Sequence, residues 1–137
     1  MSAADKVLFK DPYLILSVTE SCGLYHFVRS TVPYPSLEAI ETEYAAVLGI
    51  IATGLHPRRA LLVDMRLAPA RNDPAFEETQ RHYRQRMLSR FLRIATLVNT
   101  PAGLLHVQRF SREDRIKVVG FTSEHDALQY LLSETES

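Results

Sequence analysis

The stretch Ala60-Leu61-Leu62-Val63-Asp64-Met65-Arg66 (ALLVDMR, residues 60–66) decides the fold class. Its compact apolar run is typical of a buried strand, which stops at the polar residues Asp64 and Arg66. Asp73 and Pro74 then open a helical pattern. Asp caps free backbone amides at such a position, and the N–H that Pro lacks is not needed there. The order strand, loop, helix predicts an α/β protein.

The same order returns twice towards the C-terminus. Thr100-Pro101 precedes a helix that we expect to run to about Arg109, and Ser123 precedes the last helix in the manner of a capping box. We expect the three buried strands at Ala60–Met65, Ile94–Val98 and Ile116–Phe121. Such alternation predicts parallel pairing with right-handed crossovers. The segments around Leu62, Leu97 and Val119 should therefore lie side by side at the centre of one sheet.

The first third of the chain predicts an antiparallel hairpin. Two runs rich in β-formers, Tyr13–Glu20 and Leu24–Arg29, flank a turn in which Gly23 can adopt positive φ. Val7–Phe9 predicts a short edge strand before them. A helix then starts after Ser36 and should stop at Gly54, with glutamates in its first turns to complement the helix dipole.

The bulk composition restricts the class of protein. We expect the 137 residues to form a single domain, 1–137, with disordered ends at 1–5 and 134–137. Sixteen basic and sixteen acidic residues cancel, so no net charge attracts nucleic acid or an anionic membrane. A single cysteine, Cys22, excludes an internal disulfide framework. The chain shows neither a signal peptide nor an apolar run long enough to span a bilayer, which predicts a cytoplasmic protein.

Three stretches resemble a known family: ALLVDMR (60–66), RFLRIATLVNT (90–100) and KVVGFTSEHDALQYLL (117–132). Together with the order of elements, they resemble the STAS domain, and more closely its SpoIIAA-like (STAS/SEC14-like) group of small bacterial proteins. The resemblance implies a mixed sheet that starts with an antiparallel hairpin and carries about four helices. It also implies a non-catalytic regulatory or scaffold module that binds a protein partner.

The loop after the central strand departs from the switch-type STAS pattern. Those domains carry a Ser or Thr at the start of the following helix, where phosphorylation by a partner kinase breaks the contact. Residues 67–74 contain no hydroxyl side chain, and Thr79 is the next one. Helix-cap chemistry at Asp73 and Pro74 accounts for this loop without a phosphorylation site.

The helix after this loop is rich in arginine. Placed at about 100° per residue, its arginines border the apolar stripe instead of forming a separate one, which argues against nucleic acid and fits side chains that cover a half-buried helix. Arg, Tyr and Met are common at protein interfaces. We therefore expect Arg84→Glu with Arg90→Glu to leave folding intact and to abolish partner capture. The predicted partner surface comprises Arg71, Asn72, Asp73, Tyr83, Arg84, Met87 and Arg90.

Two alternatives remain open. Asp64, Arg66 and Arg71 lie where open α/β sheets bind ligands, and could form a polar mouth for a small anion or a lipid headgroup. A closed apolar cavity of at least about 300 Å³ beneath the second helix would favour this reading. An enzyme would instead use Cys22, His26 or Asp64. The five histidines fall on separate elements, so the sequence predicts neither a metal site nor a cofactor; a homodimer is compatible with the neutral charge.

Overall fold

The computed structural model describes residues 5–54, 59–69 and 73–133. These residues form one mixed sheet of six strands, in the order β1-β2-β3-β4-β5-β6, and four helices. The strands are β1 Asp5–Lys10, β2 Leu14–Thr19, β3 Leu24–Arg29, β4 Ala60–Asp64, β5 Arg93–Leu97 and β6 Val119–Phe121. The helices are α1 Leu37–Thr53, α2 Pro74–Leu88, α3 Pro101–Asp114 and α4 Glu124–Leu132. The predicted α/β class is confirmed.

The sheet combines a meander with a parallel half. β1, β2 and β3 pair antiparallel, whereas β3 to β6 pair parallel. Successive crossovers in one direction place their helices on the same face of the sheet. The core divides accordingly: Tyr44 of α1 and Met87 of α2 pack with Leu61, whereas Ala127 of α4 packs with Leu62. Helices α1 to α3 therefore cover one face and α4 covers part of the other.

The antiparallel hairpin forms as predicted. Leu14 of β2 pairs with Arg29 of β3, and Thr19 pairs with Leu24. The turn between them places Gly23 at φ 69°, in the left-handed region that glycine adopts without steric cost. β1 is an edge strand, also as predicted, and is longer than the expected Val7–Phe9.

One prediction about the sheet is wrong. The strands that contain Leu62, Leu97 and Val119 are neighbours, but they do not form the centre, because β6 lies at the edge. Each crossover places the next strand further from β3 on one side, whereas β2 and β1 extend the sheet on the other side of β3. The central strands are therefore β3 and β4.

The last strand is shorter, and the preceding helix longer, than predicted. α3 continues beyond Arg109 to Asp114, and Arg115 ends it in the left-handed conformation at φ 57°. The Ser111 hydroxyl donates to the carbonyl of Ile116 at 2.7 Å and accepts from the amide of Val118 at 3.1 Å. Residues 116–118 are thus fastened to the helix end, and only three residues pair with β5.

Smaller differences concern the ends of elements. β4 stops at Asp64 instead of Met65, and β5 runs over Arg93–Leu97, one residue earlier than expected. Asp5, which we expected in a disordered end, begins β1. The other expected end residues, 1–4 and 134–137, lie outside the described residues, as do Arg71 and Asn72. Within the described ranges, no helix has the length and apolar character needed to cross a membrane.

Candidate functional site

A cavity of about 350 Å³ lies between the sheet and helices α2 and α3. Its wall is mostly apolar, with Phe27 of β3, Val63 of β4, Met87 of α2 and Val107 of α3 among the residues that line it. The cavity therefore occupies the sheet face that α1 to α3 cover, directly beneath α2.

The sheet floor shows why the space exists. Val63 and Thr96 are register partners on β4 and β5 and line the cavity, and both are only half-buried. Two residues earlier on the same strands, Leu61 and Ile94 are 0% and 2% exposed. The helices thus pack tightly against the amino-terminal part of these strands and stand away from the sheet towards the carboxyl ends.

Helix α2 forms the outer wall. Asp73 caps it as predicted, with Oδ1 accepting from the amides of Ala75 at 3.0 Å and Phe76 at 3.4 Å. Met87 is 2% exposed and belongs to the main core cluster. That burial removes Met87 from the surface on which the sequence analysis placed it, because the apolar residues at both ends of α2, Phe76 and Met87, face inward.

Arg84 is likewise not free for a partner. Its Nε donates to Oδ2 of Asp114 at 2.8 Å, and its Nη2 donates to Oδ1 at 3.2 Å. The guanidinium carbon also lies 4.1 Å from the centre of the Phe110 ring. Arg81 Nε and Gln85 Nε2 reach the same carboxylate, each at 3.3 Å. The basic edge of α2 thus holds α2 to the end of α3 beside the cavity.

The remaining members of the predicted partner surface are separated. Tyr83 is half-buried and stacks on Tyr44, with ring centroids 5.9 Å apart. Arg90 is exposed and lies beyond Leu88, where α2 ends. Arg71 and Asn72 lie outside the described residues. Tyr83, Arg84 and Met87 lie on α2, Asp73 caps its start and Arg90 follows its end, so these residues do not form one accessible patch.

Asp64 and Arg66, the alternative ligand residues, bind each other. Arg66 Nε and Nη2 donate to the two carboxylate oxygens of Asp64 at 3.0 and 2.7 Å, and Nη2 also reaches Glu124 at 3.3 Å. Burial raises the pKa of Asp64, but the hydrogen bonds from Arg66 outweigh it and hold that pKa below its usual value. Hydrogen bonds to Asp64 in turn raise the pKa of Arg66. This pair fastens the end of β4 to the start of α4.

The residues considered for an enzyme are arranged differently. Cys22 lies in the hairpin turn, with Sγ 3.8 Å from the carbonyl oxygen of Thr19. His26 lies within β3 in register with Leu62, and Asp64 ends β4 in its pair with Arg66. Among residues 5–54, 59–69 and 73–133, no group of three or more His, Cys, Asp or Glu side chains could hold a metal ion.

Comparison with solved structures identifies the fold. The chain is similar to a crystal structure of an uncharacterized protein of the DUF3478 family from Shewanella loihica PV-4, which has a SpoIIAA-like fold. The TM-score is 0.59, the identity is 12%, and the match covers 96% of this chain and 98% of that one. This chain has a SpoIIAA-like fold. The resemblance seen in the sequence is thereby confirmed for the fold. No family model matches the chain, and no curated protein matches it.

Within this SpoIIAA-like fold, three buried charged residues escaped the sequence analysis: Asp114, described above with Arg84, and Arg29 and Glu43. Arg29 ends β3, is 4% exposed and lines the cavity. Glu43, expected as a dipole-complementing residue of α1, is also 4% exposed, and the Tyr34 hydroxyl donates to its Oε1. The signal for Arg29 was present, because it falls in the same alternating phase of β3 as Tyr25 and Phe27, which face the core.

Proposed function

We propose that the protein is a non-catalytic cytoplasmic binding module whose cavity beneath α2 holds a small, largely apolar molecule. The observation that supports this proposal is the cavity, whose volume is about 350 Å³. Small-molecule sites in proteins span roughly 300–1,000 Å³ and combine an apolar wall with a few polar groups. Its volume exceeds the roughly 300 Å³ named in the sequence analysis, but the cavity is partly open to solvent and not closed.

The composition of the wall supports this function. Phe27, Val63 and Val107 offer aromatic and branched apolar surface, while Gln80 and Arg29 supply polar groups. The Arg84–Asp114 pair is engaged within the protein and so holds the wall without needing a ligand. A ligand that fits an apolar site of this size gains dispersion contacts with its wall and removes apolar surface from water.

The test is stabilisation by 1-octanol, measured as the shift in Tm. At a tenfold excess over Kd, a ligand that binds the folded state alone adds about 1.4 kcal/mol to the free energy of unfolding. Val63→Phe places a ring into the cavity, and we expect it to abolish the shift. Val7→Phe makes the same change at a 60% exposed position on β1 and should retain the shift. Equal shifts in both variants would contradict binding in the cavity.

A protein partner is the second candidate function, in keeping with the resemblance. It is favoured by an exposed pair at the end of α2, where Arg90 is followed two residues later by Leu92, which is 66% exposed. Arg84→Glu is no longer a suitable probe, since it would place two carboxylates together at Asp114. The test therefore uses Arg90→Glu alone. We expect this variant to keep the wild-type Tm and to lower the affinity for a native partner. Unchanged affinity would count against this surface.

A further inference from the structure

We infer that the ligand of the cavity carries a carboxylate, which pairs with the buried guanidinium of Arg29 while its apolar part fills the space beneath α2. This chemistry rests on the proposed function, because it concerns the same cavity. It goes further in naming the charge of the ligand and the residue that recognises it.

Arg29 is held in place by neutral groups. Its Nε donates to the carbonyl of Tyr13 at 3.0 Å, its Nη2 donates to the carbonyl of Val32 at 3.2 Å, and its guanidinium carbon lies 4.4 Å from the centre of the Tyr34 ring. Carbonyls and an aromatic face orient a cation but do not neutralise it. Within the described part of the chain, Nη1 has no hydrogen-bond partner and the guanidinium makes no ion pair.

The neighbouring acid does not supply the missing negative charge. Glu43 lies on α1, and its Oε1 accepts from the hydroxyl of Tyr34, the residue whose ring Arg29 covers. Burial, together with the adjacent Asp11 carboxyl, raises the pKa of Glu43 to about 8, so this side chain is largely protonated at neutral pH. A buried cation without a counter-ion is costly, and an anion that enters the site with it lowers that cost.

The other cation of the cavity is already neutralised. Arg84 forms a two-bonded pair with Asp114, whose side chain is 2% exposed. Glu77, which also lines the cavity, lies 4.0 Å from Arg109, so Arg29 at the end of β3 is the charged lining residue for which the described residues supply no ion pair. One charge matches a singly charged carboxylate better than a doubly charged phosphate monoester.

The size of the apolar part follows from the volume. A cavity of roughly 150 Å³ accommodates one benzene molecule. The space beneath α2, at about 350 Å³, is more than twice as large. Its apolar lining of Phe27, Val63, Met87 and Val107 suits a medium-length acyl chain or a substituted ring.

The experiment compares octanoate with 1-octanol by titration calorimetry at pH 7, using the full chain. We expect wild-type protein to bind octanoate at least about tenfold more tightly than the alcohol, the factor that corresponds to about 1.4 kcal/mol. Arg29→Met keeps an unbranched apolar stem but removes the guanidinium and its charge, and should bind both compounds with similar affinity. Arg90→Met, at an exposed position outside the cavity, should keep the wild-type preference.

Each outcome decides between the proposals. Equal affinity for the two compounds in wild-type protein overturns the carboxylate inference and leaves the cavity as an apolar site. A preference that survives in folded Arg29→Met removes Arg29 from recognition. If neither compound binds wild-type protein, the proposed function fails together with the inference. Because the wild-type comparison needs no variant, the test remains decisive even if Arg29→Met does not fold.

Discussion

Asp114 shows how one residue fixes the position of a cavity wall. Its carboxylate, 2% exposed, accepts hydrogen bonds from Arg84, Arg81 and Gln85 of α2. We predict that Asp114→Ala lowers the free energy of unfolding by about 3 kcal/mol, because it leaves the largely buried Arg84 unpaired. Urea denaturation measures the loss. Glu113→Ala removes the neighbouring carboxylate, which is 47% exposed, and should cost less than about 0.5 kcal/mol; equal losses would contradict the assigned role.

Glu43 makes stability depend on pH. Its pKa rises from an ordinary value of 4.5 to about 8 on folding, so between these values the folded chain holds more protons than the unfolded chain. Linkage then requires the free energy of unfolding to fall as pH rises through this window, by a few kcal/mol at most. Glu43→Gln should flatten the profile measured by urea denaturation between pH 5 and 8.5. The exposed Glu41→Gln should leave it unchanged, and a wild-type profile in Glu43→Gln would refute the assignment.

Among individual residues, the helix caps were predictable from the sequence, whereas the burial of charged side chains was not. Asp73, Thr100 and Ser123 cap their helices as predicted, since capping depends on neighbours within three residues. The fate of Arg84 depends on Asp114, thirty residues later in the chain. Nothing local distinguishes an arginine that covers a helix from one that binds a buried carboxylate.

At the scale of elements, α2 is the part on which the cavity depends. Asp73 caps two amides at its start, and loss of a cap costs about 1 kcal/mol. We predict that Asp73→Ala lowers Tm by about 3 °C and weakens octanol binding, because the first turn of α2 carries the cavity residue Phe76. Glu78→Ala, at an exposed position of the same helix, should leave both quantities unchanged. Because Ala has a higher helix propensity than Glu, a loss of similar size there would contradict the role assigned to the Asp73 cap.

Most helices and strands were predictable from the sequence, but the residues at which they begin and end were predicted less accurately. β6 was expected over Ile116–Phe121 because all but one of its first four residues are apolar. The apolar character of Ile116 and Val118 serves packing against the main core instead, since Ser111 fastens this segment to α3. Periodicity reports burial but does not distinguish a strand from a buried connection.

In the molecule as a whole, folding depends on the core of the parallel part of the sheet. Leu62 is 2% exposed and packs with Ala95 and Ala127 between β5 and α4. We predict that Leu62→Asp prevents folding, because it buries an unpaired charge in this layer. Circular dichroism should show loss of the cooperative transition. Val7→Asp, at an exposed edge position, should retain it, and a folded Leu62→Asp variant would contradict the assigned core.

The order of the strands followed from the sequence, whereas the cavity did not. Alternation of strand and helix fixes parallel neighbours, and the early hairpin fixes where the antiparallel part begins. The cavity arises from the distance at which α2 and α3 stand from Val63 and Thr96. That distance is set by side chains from three separate elements, which no local pattern encodes.

The most direct test of the cavity as the binding site is a titration of the protein with octanoate, followed by methyl NMR. We predict saturable shifts for the methyl groups of Val63, Met87 and Val107, which line the cavity. Those of Ala127 and Leu131, in the α4 layer on the opposite face, should not move. Shifts confined to the α4 layer, or no saturable shift at the three cavity residues, would contradict the account.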